Sequence, residues 1–230
     1  MRELLDLFIG TSPSKQGDRK LEQKDFKGAI EAYTQALSLN PSDSMSLGNR
    51  GFAFARIEEH KKAIEDYNQA LCYSPNEPSI YNNRGISREA LGDVNGAIED
   101  YERVISINPS VPQAYFQLGF SHIQIDNCEY AVKALSSAIA LNSQYASAYA
   151  FRGLAHASLG KYEEAIRDYN QAIHVKPDYA KAYKFRGLIR IKMGDRLGAT
   201  RDLQQSAELF FNQAQIAEYK EVLDLIQEKQ

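Results

Sequence analysis

The chain has no tryptophan, two cysteines, seven prolines and four histidines in 230 residues, and its formal charge is −3. Each scarcity excludes something. Cys72 and Cys128 stand far apart and outside any motif, so neither a disulfide framework nor a zinc site is expected, and a reducing compartment fits. A nearly balanced charge argues against a general nucleic-acid binder, which carries a basic field. Apolar runs are short: the opening MRELLDLFIG is broken by Glu3 and Asp6 and is followed by no small-residue cleavage site. No signal peptide is read there, and no stretch approaches the roughly 20 apolar residues that span a bilayer. Phosphate-binding glycine loops, a nucleophile elbow and HExxH are all missing. His122 and His156 share one register, but two imidazoles without further ligands do not make a metal site. The expectation is a chain that is not an enzyme and holds no cofactor.

What is present is a repeat. Glycines stand at Gly17, Gly51, Gly85, Gly119, Gly153 and Gly187, always 34 residues apart. Twelve residues after each comes an alanine: Ala29, Ala63, Ala97, Ala131, Ala165 and Ala199. Sixteen after the glycine stand Tyr33, Tyr67, Tyr101, Leu135, Tyr169 and Leu203. Proline closes four repeats, at Pro41, Pro75, Pro109 and Pro177.

Each period reads as two helices. In residues 94–107, Val94, Ala97, Ile98, Tyr101, Val104 and Ile105 recur at helical spacing. Gly92-Asp93 breaks the chain before them, and Asn108-Pro109 stops it after, because the residue before proline avoids the helical region. One such hairpin cannot bury its apolar face alone, so neighbours must stack. The expected architecture is all-α: a right-handed α-solenoid of antiparallel helix hairpins over 10–213, divided 10–43, 44–77, 78–111, 112–145, 146–179 and 180–213. Residues 1–9 are expected as a cap or a tail. Residues 214–230 are expected as a capping helix, with Ile216, Tyr219, Val222, Leu223 and Ile226 on one face.

A second pattern runs in the same frame. Arg50, Arg84, Arg152 and Arg186 precede their glycines, and Asp66, Asp100, Asp168 and Asp202 follow those arginines by sixteen residues. Repeats one and four carry Gln16 and Leu118 with Ala32 and Ala134, so the aspartate is present only where the arginine is. This co-occurrence predicts an Arg–Asp bridge between the two helices of one repeat; the alternative is two solvated charges on unrelated faces.

The period and its columns, with Ala36, Ala70, Val104, Ala138, Ala172 and Ser206 nineteen after the glycine completing a Gly-Ala-Tyr-Ala-Pro pattern, resemble the tetratricopeptide repeat (TPR). YNNRG and DYNQA also resemble the phrasing of TPR proteins of photosynthetic bacteria. The resemblance implies a concave face lined by the first helix of each hairpin, through residues six and three before the glycine and one, four and five after it. Carried onto this chain, it gives Thr11, Ser14, Asp18 and Glu22 at one end. In the middle it gives Met45, Phe52, Arg56, Asn82, Ile86 and Glu89, then Phe116, Phe120, Ile123 and Gln124. At the other end it gives Leu154, Lys181, Lys184, Leu188 and Lys192. Phe52, Ile86, Phe120, Leu154 and Leu188 form an apolar row that is either a docking strip or buried packing. Lys181, Lys184 and Lys192 are either a basic patch for an acidic segment or a solvated face.

A subset of the family grips chaperone tails through a set of lysines, asparagines and an arginine. Here those positions hold Ser14, Asp18, Asn49, Ser79 and Asn83, of which only Asn49 fits. One repeat further, Gly48, Phe52, Asn83, Gln113 and Gln117 also give one match. That clamp is rejected.

The resemblance implies a protein-binding adaptor that takes an extended or helical segment of a partner, in the cytoplasm. The alternative is an assembly factor for a larger complex, photosystem-like and peripherally membrane-associated. RNA binding is the third reading, and the missing basic stripe argues against it.

Overall fold

The computed structural model describes residues 12–227, and these form thirteen helices and no strand. Residues 1–9, and Thr11 with them, lie outside the described residues. The helices are α1 (Pro13–Glu22), α2 (Phe26–Leu39), α3 (Ser44–Arg56), α4 (His60–Tyr73), α5 (Pro78–Ala90) and α6 (Val94–Ile107), then α7 (Pro112–Gln124), α8 (Cys128–Leu141), α9 (Ala146–Ser158), α10 (Tyr162–Val175), α11 (Ala180–Lys192), α12 (Arg196–Asn212) and α13 (Ile216–Gln227). They divide into two compact units, the first ending at Pro109 and the second beginning at Ser110. Within each unit, consecutive helices pair into hairpins and each hairpin packs on the next. In the second unit α13 packs on α12. None of the helices among the described residues is long and apolar enough to cross a membrane.

Local chemistry sets the hairpin ends. Pro13, Pro78 and Pro112 open α1, α5 and α7, where a missing N–H leaves nothing unsatisfied. Asp25, Asp93 and Asp195 cap α2, α6 and α12 by accepting from the backbone N–H of Gly28, Gly96 and Gly198 at 2.9–3.0 Å. The tight turn inside each hairpin passes through a left-handed residue seven after the repeat glycine. That residue is Gly92, Gly160 or Gly194 in three hairpins, and Lys24, Glu58 or Asp126 in the others.

The repeat glycines hold the two helices of a hairpin close together. A Cβ on Gly51, Gly85 or Gly153 would lie 2.8 Å from the ring of Tyr67, Tyr101 or Tyr169. On Gly119 it would lie 2.6 Å from Leu135, and on Gly187 3.1 Å from Leu203. Those five side chains are at most 2% exposed, so each glycine is the seat of a core residue from the second helix. The alanine column packs beside them, fully buried or nearly so.

Candidate functional site

The arginine column ties three helices at once. Arg84 Nε and Nη2 donate to Asp100 at 3.0 and 2.6 Å, the fork of a guanidinium on a carboxylate. Arg50 holds Asp66, Arg152 holds Asp168 and Arg186 holds Asp202 in the same way, at 2.6–2.9 Å. The remaining Nη1 reaches back to the second helix of the preceding hairpin: Arg50 to Thr34, Arg84 to Asn68, Arg152 to Ser136 and Arg186 to Asn170, at 2.6–3.2 Å. Three of these guanidiniums also lie over a tyrosine on their own helix, Tyr81, Tyr149 and Tyr183, at 5.3–5.6 Å. The aspartates are nearly inaccessible and the arginines about one-fifth exposed, so the ladder is a partly buried, fully hydrogen-bonded charge array.

A second cation joins it three residues after the glycine. Arg88 Nη1 lies 3.0 Å from Asp100 and also donates to the carbonyl of Gly96. Arg190 Nη1 lies 2.9 Å from Asp202 and donates to Gly198. In the fifth hairpin the same place is taken by His156, whose Nε2 is 3.7 Å from Asp168. The column Phe54, Arg88, His122, His156, Arg190 carries this in the sequence, and spacing from the arginine before the glycine does not bring it out.

In the first unit the groove candidates mix apolar and polar side chains. Phe52 and Asn82 are half-buried, Ile86 is 42% exposed, and Arg56 stacks its guanidinium 5.2 Å over Phe26. Glu89 is half-buried and accepts from the hydroxyl of Tyr101 at 3.0 Å. A cavity of about 290 Å³ between α3 and α5 is lined by Met45, Asn49, Ser79, Ile80 and Asn83 among others.

In the second unit the surface is apolar. Phe116 and Phe120 both meet Phe151 edge-on, at 5.5 and 5.3 Å. Ile123 packs beneath, on the cluster around Leu135, while Gln124 is exposed. Leu154, Leu188 and Lys192 line a cavity of about 450 Å³ together with Tyr169, Phe185, Ile191 and Leu225. Leu154 and Leu188 are half-buried and both line the cavity. Lys184 is bound to Glu221 of α13 at 2.6 Å, which takes its charge out of the patch. Lys181 and Lys192 stay exposed.

Models of one family match three stretches of the chain. The family described as tetratricopeptide repeat matches residues 14–79, and that described as TPR repeat matches 88–126 and 153–194, together more than half of the sequence. The chain belongs to the tetratricopeptide-repeat family. A curated relative, small glutamine-rich tetratricopeptide repeat-containing protein 2 of Mycosarcoma maydis, is 36% identical over 55 residues, which is 24% of this chain and 16% of that protein. The match thus spans about a sixth of that relative's length. Among solved structures, MamA is 29% identical with a TM-score of 0.67 over 75% of this chain and 94% of its own. YrrB, described as a TPR protein with an unusual peptide-binding site, is similar in fold, at 20% identity and a TM-score of 0.66 over 79% of this chain and 93% of its own.

Within the TPR frame, the residue two before the glycine changes character along the chain. It is Asn49, Asn83 and Gln117, then Phe151 and Phe185. The concave-face positions taken over from the family leave this column out, and it enters only the rejected chaperone-tail clamp, yet Phe151 and Phe185 are what make the second unit's surface aromatic.

His156 is expected to make the fifth TPR hairpin responsive to pH. Burial depresses its pKa below the ordinary 6.5, against the opposing pull of Asp168, and its Nδ1 is buried with no partner. A depressed histidine leaves the unfolded chain binding more protons between the folded pKa and 6.5. The stability is therefore intact above about pH 6.5 and is lost as pH falls below it toward the folded value. Thermal unfolding at about pH 7.5 and about pH 5.5 is expected to show a fall in melting temperature. His156→Arg, which places the side chain of Arg88 and Arg190 at the same station, is expected to reduce that fall.

Proposed function

We propose that the chain is a non-enzymatic interaction scaffold, and that the second unit receives a segment of a partner protein through an apolar seat. One observation carries this: half-exposed leucine and phenylalanine side chains from α9 and α11 surround a cavity of about 450 Å³, floored by the buried Tyr169 and walled by Leu225 of α13. Buried tyrosine and glycine fix the backbone beneath it, so the seat is largely pre-formed. A few apolar anchors would supply affinity, with Lys192 at the rim selecting an acidic flank.

Capture from lysate of the source organism, quantified by mass spectrometry, tests it. Leu154→Ala together with Leu188→Ala is expected to lower recovery of the bound partner about tenfold or more, since hot-spot truncation exceeds about 1.4 kcal/mol. Undiminished capture by a variant with unchanged circular dichroism would remove the seat from the binding site.

A further inference from the structure

The outer surface of the second helices carries two charged rows whose signs exchange between the units. Ten residues after the glycine the first unit has Lys27 and Lys61, and fourteen after it Glu31, Glu65 and Glu99. The second unit has Glu129 and Glu163 in the first row, and Lys133, Arg167 and Arg201 in the second. All ten are exposed. None of the five in the first unit forms an ion pair among the described residues; in the second, Arg167 lies 3.2 Å from Glu164.

Helix physics accounts for one arrangement and not the other. Lys27 and Lys61 are the second residues of α2 and α4, at the positive end of the helix dipole, and each precedes a glutamate by four. The first is the unfavourable choice and the second is the weaker of the two pair orders. In α8 and α10 glutamate stands at that end and the basic residue follows, which is the favourable order. The first unit thus holds its charges against local preference, in the pattern opposite to the second.

We propose that the outer face of the first unit docks on the outer face of the second unit in another copy of this chain. Each face is complete within its own unit. Laid face to face with helices parallel, the lysine row meets the glutamate row and the glutamate row meets the basic row. Parallel helices force the hairpin order to run opposite on the two faces, so hairpins two and five meet, with Lys61 opposite Glu163 and Glu65 opposite Arg167. Hairpins one and six bring Glu31 to Arg201, and hairpins three and four bring Glu99 to Lys133. Arrays of this kind set orientation and are weakened by salt.

Sedimentation of the full chain at low and high salt tests the pairing with two triple variants: Glu31→Lys, Glu65→Lys and Glu99→Lys in one, and Lys133→Glu, Arg167→Glu and Arg201→Glu in the other. The wild type is expected to self-associate at low salt and to do so at least about tenfold more weakly at high salt. Each triple variant alone is expected to lose about tenfold or more, and an equimolar mixture of the two to associate again, because a fully basic face then meets a fully acidic one. All substituted positions are exposed, and unchanged circular dichroism confirms folding. A wild type that is monomeric at every salt concentration overturns the proposal. So do triple variants that associate as the wild type does, or a mixture that associates no better than its components.

Discussion

Asp100→Ala is expected to lower the unfolding free energy of the first unit by about 3–5 kcal/mol, the range for breaking one side of a buried ion pair. Asp100 is 2% exposed and holds two guanidiniums: Arg84 through its fork and Arg88 at 3.0 Å. Truncating it strands both in a partly dry site. The damage extends beyond the hairpin, because the fork on Asp100 also aims Arg84 Nη1 at Asn68 in the preceding second helix. Asp66 serves a single guanidinium, on the more exposed Arg50, so Asp66→Ala is expected to cost less, about 2 kcal/mol. Urea unfolding followed by circular dichroism ranks the two. A cycle through Arg84→Ala, Asp100→Ala and the double variant isolates the coupling, and simply additive single effects would show that the bridge contributes nothing of its own.

How much of this was legible depends on whether a feature repeats. The glycine and tyrosine columns recur every 34 residues, and the contact between Gly85 and Tyr101 is a property of each hairpin alone. The sixteen-residue step from Arg84 to Asp100 is legible for the same reason. Features that depend on one hairpin or on a neighbour were not. Arg88 adds to Asp100 only where the third residue after the glycine is basic, and the column mixes Phe, Arg and His. Glu221 stands 34 residues after Gly187, in a place the repeat leaves to glycine, and nothing in the spacing assigns it to Lys184. The apolar row resisted a choice between groove and core because half-burial is neither. Leu188 is half-buried and still lines the cavity.

Tyr169→Ala is expected to remove about 3–5 kcal/mol from the second unit, the range for deleting a buried aromatic ring. The ring is 1% exposed, wedged against Gly153 on one side and lining the cavity on the other. Tyr169→Leu is expected to cost far less, about 1–2 kcal/mol, because Leu135 and Leu203 fill the same seat over Gly119 and Gly187. The glycine tests the contact from the other side. In the wild type, Gly153→Ala gains about 1 kcal/mol of helix propensity but drives a methyl to 2.8 Å from a ring with nowhere to go, an overpacking of about 1–3 kcal/mol. With the ring removed, the three atoms nearest that methyl are gone and the propensity gain outweighs what crowding remains. Gly153→Ala is therefore expected to destabilise the wild type and to stabilise Tyr169→Ala, a change of sign that urea unfolding reads directly. An equal cost in both backgrounds would mean that the repeat glycine is kept for some reason other than the tyrosine it faces.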